Sequence, residues 1–418
     1  MIKRSTAWTV AIVATLTMTV SYVDRITLAV LAPTVTKVLG ISDEAYGWLG
    51  SVFSAAYLFA TPFTGWWIDR IGARRGLVSS LLAWSVVAAL HAVIPGFGAL
   101  FVLRIALGIT EGPSFPGAAQ TIQRILPARE RERGFGVLFT GSSIGAMIAP
   151  PLASGVFRLT DSWRTAFLVT TAAGLIWIPA WLFVTRSRAV RAQLDVAPDD
   201  AAAQEPRPSL VRLVRHPIMI RALCGVFAAA PVFGFAQTWG AKYLVLTFKL
   251  GQGEVGRYLW LPPLMFDLGA VVFGDLASRQ RRLEGTPPRL LYAIGIALAA
   301  ALALLSRADT PWQAMWIMGT AMAGGGVMYT LTTADMLARM PPGSVSFAGG
   351  VLAGAQSLAL IIANPVIGRV IDHLHSYDAI GFGLAGWAMP GALIWLAWTP
   401  PAHFTPRTTN LPRAQATG

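Results

Sequence analysis

An aspartate and an arginine, Asp24 and Arg25, stand side by side in a stretch that is otherwise apolar from Ala7 to Ala32. About 20 apolar residues cross a bilayer as a helix, so the stretch predicts a membrane-spanning helix with two charges inside it. Charge at that depth costs roughly 3 kcal/mol per residue on insertion scales, and such residues normally face a protein interior or an aqueous cavity. Successive helical residues point about 100° apart, so Asp24 does not simply neutralise Arg25. Tyr22 and Ser21 precede Arg25 by three and four residues and share its face. Arg25 is therefore expected, with Tyr22, to meet an anion in a cavity. The competing reading is a structural ion pair with another helix.

A second set of polar residues lies in the fourth apolar segment, where Arg104 and Glu111 are two turns apart on one face, about 10 Å along the axis, ahead of Pro113 and Pro116. Asp24 comes about 24 Å up the first helix, close to the expected depth of Arg104, so an Asp24–Arg104 pair between helices is predicted. Glu111 is expected farther from Arg25. A carboxyl group packed against apolar surface holds its proton more readily than one in water, which makes Glu111 a candidate to bind and release a proton. Its alternative is a structural role at a proline kink. In the second half of the chain, Asp267 falls near the middle of an apolar segment and is a candidate cavity acid. Gln237, Gln356, Asn364 and Tyr329 are weaker polar signals in other segments. Lys242 and Arg257 lie near segment ends, where they are expected to snorkel to water. Asp335 is expected to pair with Arg339.

The loop after the second segment, GWWIDRIGARR, sets Asp69 and Arg70 before Gly72 and the pair Arg74–Arg75. An aspartate at a helix end near arginines can bridge to a neighbouring helix when two halves of a bundle close. These four charged residues are expected to form a gate rather than a substrate site. In the corresponding loop of the second half, GDLASRQRR, Ser278 stands where the aspartate would be, which leaves Asp275 as the acid available there.

The whole chain must be folded so as to hold these charges in a membrane. Its 418 residues are 55% hydrophobic and only 13% charged, against about 25% charged in soluble domains. One cysteine, Cys224, excludes an internal disulfide framework and a multi-thiolate metal site. The net charge of +13 does not indicate nucleic acid, because the arginines cluster in loops between apolar runs, as the positive-inside rule produces. Twelve apolar segments can be drawn, near 7–32, 45–68, 76–95, 98–122, 134–158, 165–185, 218–246, 254–277, 289–306, 311–338, 345–370 and 377–398. The first is too long and too charged for a cleavable signal. Arg70, Arg74, Arg75, Arg124, Arg129, Arg131, Arg133, Arg279, Arg281, Arg282 and Arg289 fall on one side, which places both termini in the cytoplasm. The expected organisation is a six-helix bundle over 1–185, a linker over 186–216, a second bundle over 217–402, and a disordered cytoplasmic tail over 403–418. The fold class is thus an all-α membrane protein of twelve transmembrane helices in two bundles, an arrangement suited to a transporter with its site between the halves. No histidine lies mid-span, and no nucleophile–base pair or metal-ligand spacing appears, which argues against an enzyme.

SYVDR, LRIALGITEGPSFP and GWWIDRIGARR together resemble the anion:cation symporter branch of the major facilitator superfamily, over essentially the whole chain. The later stretches beginning WGAKYLV and GSVSFAGG are similar to hexuronate transporters. The resemblance implies Asp24 and Glu111 as proton-linked acids, Arg25 as the carboxylate ligand, and Arg104, Tyr22 and Tyr57 as cavity residues; the mid-span position of Asp267 makes it the next candidate for the coupling proton. A glutamine frequent in helix five is replaced near Ser142, and an asparagine of helix eleven falls near Gly354. The implied function is proton-coupled symport of an organic anion, a sugar acid such as a hexuronate, by alternating access in a bacterial inner membrane. It requires no cofactor or metal, and the expected partners are the small anion, protons and the bilayer, with the protein as a monomer. A smaller or aromatic monocarboxylate, or antiport and efflux, is the alternative.

Overall fold

The computed structural model describes residues 2–195, 210–284, 288–340 and 345–402. All regular structure among the described residues is helical. The first half comprises α1 (Arg4–Leu39), α2 (Asp43–Ile71), α3 (Ala73–Leu90), α4 (Phe97–Glu111), α5 (Ser114–Ile125), α6 (Ala128–Thr160), α7 (Trp163–Leu175) and α8 (Trp177–Val184). Short helices α9 (Arg188–Leu194) and α10 (Leu210–Val214) follow. The second half comprises α11 (Pro217–Phe248), α12 (Leu261–Glu284), α13 (Arg289–Ala300), α14 (Pro311–Leu337), α15 (Val345–Leu374) and α16 (Asp378–Ala397). With α4–α5 and α7–α8 each counted as one bent span, each half crosses six times. The middle of the expected linker, 196–209, and the expected disordered tail, 403–418, lie outside the described residues.

The elements differ from the predicted apolar segments for local reasons. The fourth segment breaks at Gly112–Pro113, because a proline lacks the N–H that would continue the ladder, and Glu111 becomes the last residue of α4. Several helices outrun their apolar cores: α1 extends to Leu39 and stops where Gly40 takes a left-handed φ of 62°. Among the described residues, nine helices satisfy both the length and the hydropathy of a spanning segment. The fourth span fails through its break, whereas α2 and α14 are long but diluted by glycine, serine and threonine. Exposed side chains such as Val102, Leu159 and Val271 give the outer surface an apolar character suited to lipid.

The halves meet along α1 and α11, α2 and α15, and α6 and α12. The hydrogen bonds and ion pairs described between them lie at mid-depth or at the end carrying the α1–α2 turn. There Gln252 accepts from the backbone and hydroxyl of Thr34 and donates to the Val30 carbonyl. Tyr46 donates to the Thr238 carbonyl and Ser51 to that of Ile361. Lys242 Nζ sits 2.5 Å from Asp43 Oδ1 and donates to Thr36. Lys242 is thus buried in an ion pair, not snorkelled to water as expected. The reason is that the facing half supplies a carboxylate where a single helix would offer only solvent. Arg257, by contrast, is exposed.

A further contact fixes the start of α2. Asp372, near the end of α15, accepts the backbone N–H groups of Asp43 and Glu44 at 2.9 and 2.7 Å. These donors have no partner within their own helix, and a carboxylate suits the positive end of the helix dipole. The seam is close because glycines line it. A Cβ at Gly47 would lie 2.3 Å from the Asn364 carbonyl oxygen, and one at Gly368 would lie 2.1 Å from that of Asp43. Overpacking of this kind costs about 1–3 kcal/mol, so Gly47→Ala is expected to lower transport by about tenfold or more. Uptake into vesicles, with circular dichroism to check helicity, measures this. Unchanged uptake would show that the seam closes with slack.

Candidate substrate and proton site

Arg25 projects from the middle of α1 among three aromatic rings. Its guanidinium carbon lies 4.7 Å from the Tyr22 ring centre, 4.6 Å from Phe53 and 4.9 Å from Tyr57. Rings at such distances attract a cation through their negative faces. On its other side Arg25 Nη2 donates to Glu111 Oε2 at 2.9 Å, and Nε reaches the same oxygen at 3.3 Å. Ser21, one turn before Arg25, donates to that oxygen at 2.8 Å. Glu111 has no solvent exposure, whereas the Arg25 side chain keeps 21%. The pair is therefore buried at the carboxylate and open at the guanidinium. Glu111 Oε1 has no hydrogen-bond partner.

This pairing corrects the expected one. Asp24 and Arg104 were placed together on depth, with Glu111 farther from Arg25. Depth does not specify how a helix is rotated about its axis. Ser21 and Arg25 lie on the face of α1 that meets Glu111, and Asp24 lies on the next face. Both oxygens of Asp24 are buried without a hydrogen bond, and the indole N–H of Trp84 lies beside them without closing one. Arg104 is 4% exposed, and its Nε and Nη2 are also unpartnered. Asp24 and Glu111 are within electrostatic reach of Arg104, but neither forms an ion pair with it at contact distance.

The remaining candidates disperse. Asp267 on α12 accepts the Ser143 hydroxyl of α6 at 2.6 Å, a contact between the halves. Gln237 lines a crevice of about 20 Å³ with Ile26, Ala29, Pro150 and Leu259, room for one water. Asn364 Oδ1 accepts the Trp239 indole N–H, and its amide nitrogen packs against Gly50. It is thus part of the α2–α15 seam. Gln356 is half-buried, with no side-chain hydrogen bond among the described residues. Asp335 meets Arg339 as expected, and also Arg221, which in turn holds the Trp395 carbonyl at the end of α16. Sequence reading missed Phe53, Trp84 and Asp372. The spacing puts Ser21 on the face of Arg25, and the structure adds that it donates to Glu111.

The four gate residues stay within the first half. Asp69 accepts from Gln120 of α5, and Arg70 stacks 4.3 Å over the Trp66 ring. Arg74 donates to Thr185 at 3.1 Å, while its own carbonyl accepts from Trp181. Arg75 is exposed. Asp275 pairs with Arg279 one turn along the same helix. Among the described residues no contact carries these groups across to the opposite half, so the expected bridging between halves is not seen in this conformation. Asp69→Asn is expected to leave substrate affinity within about threefold while slowing transport, since surface-level ion pairs contribute about 1 kcal/mol or less. Parallel binding and uptake measurements test this, and an equal fall in both would place Asp69 in the binding machinery.

The Major Facilitator Superfamily profile matches residues 14–363. The chain is 27% identical over 431 aligned residues to the hexuronate transporter of Escherichia coli K12, covering 98% of each. It is 25% identical over 402 aligned residues to the probable galactarate/D-glucarate transporter GudP of Bacillus subtilis 168, covering 90% of this chain and 88% of that one. Among solved structures, a bacterial homologue of the human lysosomal transporter Spinster, inward-facing and occupied, superposes with a TM-score of 0.75 at 17% identity, covering 95% and 94% of the two chains. The twelve-span fold, the profile match and the full-length alignments agree: the chain is a multi-pass membrane transporter, not an enzyme, and belongs to the Major Facilitator Superfamily.

Proposed function

We propose that the protein is a proton-coupled symporter of an organic anion, a sugar acid such as a hexuronate, working by alternating access as a monomer in a bacterial plasma membrane. The observation that carries the reading is the Arg25–Glu111 pair: a partly exposed cation held by a fully buried carboxyl group that one proton would discharge. Loading Glu111 with a proton removes the competitor for the guanidinium. Arg25 then binds the substrate carboxylate in its place, through two parallel N–H donors. Loss of the proton restores the pair and expels the anion. The basic loops put the α2–α3 end in the cytoplasm, so the interlocked α1–α2 end faces outward and this conformation opens inward. The names of the aligned relatives support a sugar acid. A second reading, an aromatic monocarboxylate, is favoured by the three rings around Arg25.

The test is uptake of labelled galacturonate into vesicles containing the purified protein, with and without an imposed proton gradient. Accumulation above the external concentration only with the gradient is expected. Accumulation independent of it would remove proton coupling, and preference for benzoate over galacturonate would select the second reading.

A further inference from the structure

We infer that Ser21 is a positioning residue for the coupling proton: its hydroxyl holds the Glu111 carboxyl while Arg25 exchanges that carboxyl for the substrate, and so sets the pH at which the exchange occurs. This rests on the transport reading above, in which Glu111 takes the proton. Ser21 lies inside the first half with no solvent exposure. A buried helical hydroxyl has a local acceptor at hand, the carbonyl four residues back. Thr15, Thr27 and Thr36 of α1 all use theirs. Ser21 instead donates across to Glu111 Oε2 at 2.8 Å. A hydroxyl has one hydrogen to give, and this one goes to the carboxylate that Arg25 also grips.

The two oxygens of Glu111 are unequal. Oε2 takes Ser21 and both contacts from Arg25, whereas Oε1 is buried with no partner. Glu111 is the last residue of α4, where the chain breaks at Gly112–Pro113. Among the described residues, Arg25 and Ser21 alone bond its side chain. When Arg25 turns to a substrate carboxylate, Ser21 is the donor that stays. It keeps Oε2 in place for Arg25 to return to when the proton leaves. A hydrogen bond to the ionised form of an acid favours that form, so Ser21 works against loading the proton and for releasing it. The other groups facing Glu111 are Arg104 from α4, Asp24 from α1 and Tyr57 from α2, all within electrostatic reach. A change at Ser21 leaves these three in place.

The experiment is isothermal titration of purified protein with galacturonate across a range of pH, in wild type, Ser21→Ala, Ser21→Thr and Glu111→Gln. Wild-type affinity is expected to rise as pH falls. In Ser21→Ala the midpoint of that rise should move up by about one pH unit, about tenfold in proton affinity. Uptake by this variant into vesicles should lose turnover without a rise in KM, since release of the proton is the step slowed. Ser21→Thr keeps the hydroxyl and should return the midpoint to within about half a unit of wild type. Thermal unfolding of each variant checks that it is folded. A midpoint unmoved in Ser21→Ala, or moved equally in Ser21→Thr, overturns the inference; a pH-dependent wild type and a flat Glu111→Gln would then leave the transport reading intact. Affinity independent of pH in the wild type, or wild-type pH dependence in Glu111→Gln, overturns that reading and the inference with it.

Discussion

Arg25→Ala is expected to abolish substrate binding, and Arg25→Lys to weaken it strongly. Truncating one partner of a buried hydrogen-bonded charge pair costs about 2–5 kcal/mol, roughly thirtyfold to several thousandfold in Kd. Alanine removes the partly exposed guanidinium that Glu111 and the three rings hold, so the incoming carboxylate would lose its water and gain no partner there. Lysine keeps the charge, but as a compact point charge without the planar fork that grips both carboxylate oxygens. It also loses the flat contact with Tyr22, Phe53 and Tyr57. Isothermal titration of purified protein with the best-transported acid measures both variants. Near-normal affinity in Arg25→Ala would remove the central claim.

Glu111→Gln is expected to separate transport from its driving force. The glutamine still fills the site and can accept from Arg25 and Ser21, yet carries neither a charge nor an exchangeable proton. The groups facing this position are Arg25 and Ser21 from α1, with Asp24 and Arg104 within electrostatic reach. None of these supplies a second carboxylate in contact with Arg25. The sign follows from the pair. If Glu111 carries the proton as proposed, lowering pH discharges it and frees Arg25 in the wild type, so affinity for the anion is expected to rise as pH falls. In Glu111→Gln, Arg25 meets no charged competitor at any pH, and affinity is expected to become flat. The variant should exchange labelled substrate across the bilayer but lose accumulation under an imposed proton gradient. Asp24→Asn should impair both activities, since it leaves Arg104 without its nearby counter-charge. Wild-type-like, pH-dependent accumulation by Glu111→Gln would move the coupling proton elsewhere, with Asp267 next.

The residues that share a turn of helix were legible from sequence, and those that meet across helices were not. Tyr22 and Arg25 are joined by spacing alone, and the twelve spans by the length and hydropathy of apolar runs. The partner of Arg25 depended on the rotation of α1 against α4, which no periodicity within either helix encodes. Lys242 shows the same limit. Near a helix end it suggested contact with water, and the fold gave it Asp43 from the other half. Asp372 was hidden for a different reason: its partners are backbone N–H groups, which every sequence supplies at every helix start. Asn364 looked available for a substrate until Trp239 claimed its oxygen, a contact between α11 and α15 that no periodicity within either helix encodes.

If the protein works as proposed, the Arg25–Glu111 pair also sets the electrical character of the cycle. It has zero net charge when the carrier is empty. When Glu111 takes a proton and Arg25 takes a monocarboxylate, the proton cancels the charge that the substrate brings, and the site is again neutral. The loaded and the empty carrier therefore present the same charge to the membrane field. Moving one elementary charge through that field is worth about 2.3 kcal/mol per 100 mV, and here none is moved. In the proposed cycle each reorientation is electroneutral, so accumulation is expected to follow the pH difference alone. A cell whose membrane voltage has collapsed but whose interior stays alkaline would still fill through this carrier, while one with full voltage and no pH difference would not.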